Sequence, residues 1–111
     1  MLNEFRWAWN SGDVEAVADQ GSTPNMRERL VRGLPDTQKR YGWGWGLPPV
    51  DDPIWQEGET RLGVRWARAT FPGEAGKLKI RREYASGRWG VTSLAWRSDK
   101  VLGASDRKSV A

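Results

Sequence analysis

Arg68 and Arg82 are the residues of this chain whose type and setting point most directly to chemistry. Leu62, Val64 and Trp66 alternate with Arg61, Gly63 and Arg65, and Arg68 continues the apolar series. Arg82 sits between Ile80 and Tyr84 in the same relation to its own run. Period-two alternation predicts that both guanidiniums lie on the apolar face of a strand. A guanidinium does not shed its proton easily, so in that setting it needs a carboxylate or an anionic ligand. The pattern predicts a small-anion site, for a carboxylate or a phosphate, bounded by Trp66, Arg68, Arg82 and Tyr84. The alternative is that both arginines reach solvent at strand ends, or pair with a helix acid such as Glu4 or Glu15.

Other groups suggest weaker chemistry. Arg61, Arg65, Lys77, Lys79 and Arg81 fall on the opposite face of the same runs, where they form either a platform for an acidic partner or nucleic acid, or a solvated sheet surface. Tyr41, Trp43 and Trp45 alternate with glycines and share one face of an extended backbone, as a stacking platform or as core. Asp51 and Asp52 stand beside prolines, which fits a loop better than a metal site. Asp51 and Glu57 are the carboxylates that a buried-acid enzyme would use.

The missing residue types limit the rest. There is no histidine and no cysteine, which removes the commonest general base, the commonest metal ligand, thiolate chemistry and disulfides. No serine sits in a Gly-x-Ser-x-Gly context and there is no glycine-rich phosphate loop. Neither a metal nor a cofactor is expected.

These groups must be positioned by a small framework. Lys77–Tyr84 and Arg88–Arg97 alternate around Ala85-Ser86-Gly87 and read as an antiparallel hairpin. Residues 54–71 read as a further strand region, and Pro72-Gly73-Glu74-Ala75-Gly76 as a turn. Leu2, Phe5 and Trp9 repeat at helical spacing. Asp13 then caps a second helix over Val14–Gln20, and Thr23-Pro24 opens a third whose Met26, Leu30 and Leu34 are four apart. Pro35 predicts a break or kink at Leu34. The fold class is α+β: three N-terminal helices packed on one face of an antiparallel sheet.

A chain of 111 residues forms one domain with one thin core. We expect residues 1–98 to make that domain and 99–111 a flexible tail. Eight tryptophans exceed what such a core holds, so some should line a cavity or an interface. The overall charge of +4 divides unevenly, with residues 1–60 at −4 and residues 61–111 at +8. With no signal peptide and no membrane span visible, the default compartment is the cytoplasm, although a trimmed secreted chain would look the same.

Phe5-Arg-Trp-Ala-Trp9-Asn10-Ser11-Gly12-Asp13-Val-Glu-Ala-Val-Ala18 resembles the opening of the nuclear transport factor 2-like (cystatin-like cone, polyketide-cyclase-like) superfamily. Gly87-Arg-Trp89-Gly-Val91-Thr-Ser93-Leu94 is similar to the last strand of the same group, and Arg40-Tyr41-Gly42 to the close of the third helix in small members. The resemblance implies a strongly curved, cone-shaped sheet, an internal pocket and frequent homodimerisation. Its enzymes use an Asp base, an Asp–His pair or an Asp–Arg–Asp group. Without histidine the dehydratase pattern does not apply, and no isomerase Asp is matched residue by residue. The expectation is a non-catalytic domain that binds a small anionic ligand or a protein partner. The alternatives are a small lyase, isomerase or hydrolase using a pocket carboxylate, and acidic-partner or nucleic-acid binding through the basic sheet face.

Overall fold

The computed structural model describes residues 2–98 and 107–109. Three helices come first: α1 (Leu2–Asn10), α2 (Val14–Ala18) and α3 (Pro24–Tyr41). An antiparallel sheet follows, made of β1 (Ile54–Glu59), β2 (Arg65–Pro72), β3 (Gly76–Ala85), β4 (Arg88–Ser98) and β5 (Arg107–Ser109), each strand beside the next in sequence. The α+β class and the order of helices before strands agree with the sequence.

The helix boundaries follow local chemistry. The Asp13 carboxylate accepts from the Ala16 N–H at 3.1 Å, and the Thr23 hydroxyl accepts from the Met26 N–H at 3.1 Å with Pro24 in the first turn. α2 stops at Ala18 rather than Gln20 because the sheet takes the next residues. The Ser22 N–H donates to the Val91 carbonyl at 2.9 Å, and the Val91 N–H donates to the Gln20 carbonyl at 2.7 Å. This stretch crosses so close to β4 that a side chain on Gly90 would meet the Ser22 Cα at 2.4 Å.

The predicted break at Pro35 does not occur, and α3 continues to Tyr41. Pro35 is exposed, so its ring meets solvent and the helix loses only the amide that would reach the Val31 carbonyl. Leu30, Leu34, Thr37 and Gln38 are buried on both sides of it, and their packing holds the helix together.

The inner face of the sheet carries Ala67, Ala69 and Phe71 from β2, Leu78 and Ile80 from β3, and Val91, Leu94 and Trp96 from β4, all buried. A bulge opposite Arg81 and Arg82 lets Val91 and Leu94, three residues apart, share that face. Against it pack Phe5, Trp9, Val17, Met26, Leu30 and Leu34. Phe5 meets Phe71 with centroids 5.7 Å apart, and Trp9 stacks on Trp96 at 6.2 Å.

The connection from α3 to β1 is clamped to α1. The Trp9 indole donates to the Pro48 carbonyl at 2.6 Å. Asn10 donates to the Val50 carbonyl at 3.0 Å and accepts from its N–H at 2.8 Å. The Tyr41–Gly46 segment within it is not extended, contrary to the sequence reading. Gly42 and Gly44 take left-handed φ values of 70° and 66° and wind the chain. Trp43 turns inward, edge-on to Trp96 at 5.0 Å and stacked on Tyr41 at 5.3 Å, while Trp45 is 97% exposed.

Two further expectations change. Leu62 and Val64 belong to the Thr60–Val64 turn between β1 and β2, closed by the Thr60 N–H donating to the Val64 carbonyl at 2.9 Å, and Leu62 is 92% exposed. The expected tail at 99–111 includes β5, which pairs with Ala95–Arg97; the rest of that stretch lies outside the described residues. The β3–β4 hairpin forms as predicted, with positive φ at Ser86 (54°) and Gly87 (80°), as a two-residue type I′ turn requires.

Candidate functional site

The inner face has a dry end and a wet end. Exposure rises from Phe71 and Leu78 toward Arg65, Tyr84 and Trp89. Arg82 stands at the border, only 6% exposed, with Ala67 and Val91 as its cross-strand neighbours. Its guanidinium carbon is 5.7 Å from the centre of the Trp89 ring. Arg65 lies over the same ring at 5.5 Å and over Tyr84 at 5.6 Å. Among the described residues the Arg82 side chain makes no hydrogen bond and no salt bridge. Burial pushes its guanidinium down from the ordinary arginine value, and the charge of Glu4 on α1 opposes that shift.

Two hollows share residues with the surroundings of this arginine, Trp89 in one and Glu4 in the other, although Arg82 itself lines neither. One, of about 280 Å³, is lined by Glu57, Gly58, Glu59, Arg65, Trp66 and Trp89. The other, of about 400 Å³, lies between α1 and α2 and is lined by Glu4, Trp7, Ala8, Ala16 and Gln20. The tryptophans that line them, with the exposed Trp45 and Trp55, account for the indoles that the core does not take.

The outer face carries a different set. Arg68 on β2 stands directly opposite Arg81 on β3, and both guanidiniums lie over Trp66, at 5.1 and 5.3 Å from its ring centre. The Trp66 indole fills the space beside Gly58, where an added Cβ would come within 2.5 Å of it. Arg81 donates to the Glu83 carboxylate at 3.1 Å. A groove of about 500 Å³ crosses this face, lined in part by Gln56, Arg68, Thr70, Lys79, Arg81 and Ser93.

The predicted quartet is therefore divided by the sheet. Arg82 and Tyr84 face inward, whereas Trp66 and Arg68 face outward. With Leu62 and Val64 counted into the strand, the alternation puts the even positions of β2 on the buried side. The buried positions are Ala67, Ala69 and Phe71, and the small alanines gave too weak a signal to compete with Trp66. Arg65 moves the other way, from the expected outer face to the inner one. Lys77, Lys79 and Arg81 alternate outward from the buried Leu78, Ile80 and Arg82, as expected. Glu4, named as a possible partner of the inner arginine, is the carboxylate whose charge acts on Arg82. Trp89 was missed as a site residue, although its place opposite Tyr84 in the hairpin was legible.

Of the two candidate carboxylates, Glu57 lies in the smaller hollow and is exposed, while Asp51 is exposed in the loop, with its N–H donating to the Pro72 carbonyl at 2.7 Å. Asp52 pairs with Arg6 at 2.8 Å. Among the described residues no cluster of acids is placed to hold a metal ion, and no helix is long and apolar enough to cross a membrane. Compared with protein-family models, curated proteins and solved structures, the chain matches none.

Proposed function

We propose that this is a non-catalytic domain of nuclear transport factor 2-like type, with a curved, cone-like sheet, and that it binds a small carboxylate or phosphate at the open end of its inner face. The observation that carries the reading is Arg82. A buried guanidinium has five N–H donors, and leaving them without acceptors is costly. An anion entering beside Trp89 would supply acceptors and neutralise the charge. Arg65 adds a second cation at the mouth, and Tyr84 and Trp89 supply aromatic walls. A buried-acid enzyme needs a carboxylate shielded from water, and the exposure of Glu57 and Asp51 favours binding over catalysis.

A thermal-shift screen of carboxylates and phosphates at fixed ionic strength tests this. A ligand at about 100 times its Kd adds ~2.7 kcal/mol, a shift of several degrees in a domain of this size. Arg82→Met should remain folded and lose that shift. A screen in which no anion stabilises the wild-type chain, or in which the shift survives in Arg82→Met, refutes the site.

A further inference from the structure

We propose that the outer face of the sheet, opposite the Arg82 site and independent of it, is a groove for single-stranded nucleic acid, with Arg68, Arg81 and Lys79 on the phosphates. The register places Arg68 and Arg81 directly across from each other. Like charges in that position oppose folding, and Trp66 holds both guanidiniums at one ring. Glu83 answers Arg81, whereas the Arg68 side chain has no hydrogen bond or salt bridge among the described residues. An anion lying between them removes the repulsion, and the planar guanidinium fork suits a phosphate.

The shape of the groove selects a chain over a single anion. Its lining runs from Ile54 and Gln56 on β1 to Ser93 and Ala95 on β4. Four strands spaced about 4.8 Å apart span roughly 14 Å, longer than one phosphate. No carboxylate lines it among the described residues, and Gln56, Thr70 and Ser93 add hydrogen-bonding groups. Trp66, beside the cations though outside the lining of the groove, gives the aromatic element that single-strand sites use for bases. The combination of cations, polar groups and one indole favours a nucleic-acid strand over an acidic peptide.

The test is fluorescence polarisation with short labelled single-stranded RNA and DNA. Three phosphate contacts predict a slope of log K against log salt of about −2, or roughly 15- to 20-fold weaker binding between about 50 and 200 mM salt. Arg68→Gln with Arg81→Gln should weaken binding about tenfold or more and reduce the slope to about −0.7. Trp66→Leu should weaken it roughly fivefold or more. Arg29→Gln with Lys39→Gln removes the same charge from the exposed side of α3 and should leave affinity nearly unchanged. Should the groove double variant fail to fold, Arg68→Gln alone should lower the slope by about 0.7. Absence of binding at low salt overturns the proposal, as does equal loss in the two double variants. Displacement by an acidic polypeptide as readily as by unlabelled strand also overturns it, in favour of an acidic protein partner.

Discussion

Arg81 and Arg82 are consecutive in β3, yet their surroundings are opposite. Arg82 points inward, is nearly out of reach of water and, among the described residues, has an aromatic ring and the charge of Glu4 to balance it. Arg81 points outward, shares Trp66 with Arg68 and pairs with Glu83. One residue of register separates a guanidinium that costs the fold stability from one that costs it little. Among the described residues, the inner face is built for burial, with one buried charge, Arg82, and a second arginine, Arg65, at its exposed end. The outer face is built from charge, with a single aromatic exception. An exception of that kind on either face marks a place where packing alone does not explain the residue.

The contrast is tested most strongly at Phe71 and Thr70, neighbours on opposite faces of β2. Phe71→Ala should cost about 3–5 kcal/mol, whereas Thr70→Ala should stay within about 0.5 kcal/mol by urea denaturation. Comparable losses would mean that the outer face is also packed. Gly90→Ala comes next. Its Cβ would strike the Ser22 backbone and detach the α2–α3 connection from β4, so a loss of roughly 2–3 kcal/mol is expected. A neutral result would show that this connection yields freely. The smallest effect has the opposite sign. Arg82→Met should raise stability in the absence of ligand by about 1–3 kcal/mol, because an apolar chain of similar volume replaces an uncompensated buried charge. Arg81→Met should change it by no more than about 0.5 kcal/mol. A destabilised Arg82→Met chain would mean that the guanidinium is satisfied in the folded protein.

Much of the framework was legible because its signals are local. Asp13 and Thr23 are side chains that satisfy amides three residues away, and Ser86-Gly87 supplies the positive φ values that a tight hairpin needs. Pro35 shows where local rules stop. Its penalty falls on one backbone hydrogen bond, the one to the Val31 carbonyl, while Leu30, Leu34 and Gln38 gain from an unbroken helix. Trp43 shows the same limit. Nothing in Tyr41–Gly46 states that glycines at 42 and 44 will wind the chain and turn one indole onto Trp96 while leaving another in water.

The candidate site was only half legible. In β3 the alternation of Leu78, Ile80 and Arg82 is unambiguous, because large apolar residues mark one face, and it placed Arg82 and Tyr84 correctly. In β2 the inward positions are alanines and the outward one is a tryptophan, so hydrophobicity pointed the wrong way. Alanine is inside there because Phe5, Trp9 and their neighbours on the helices already fill the space. The sequence by itself determined the three helices with the caps at Asp13 and Thr23, the β3–β4 hairpin and its turn, the α+β order, the concentration of positive charge in the strands and the absence of histidine and thiol chemistry. Only the tertiary structure decided which face of β2 is buried, and so which arginines meet. That choice rests on the volume left between helices and sheet, which no single segment encodes.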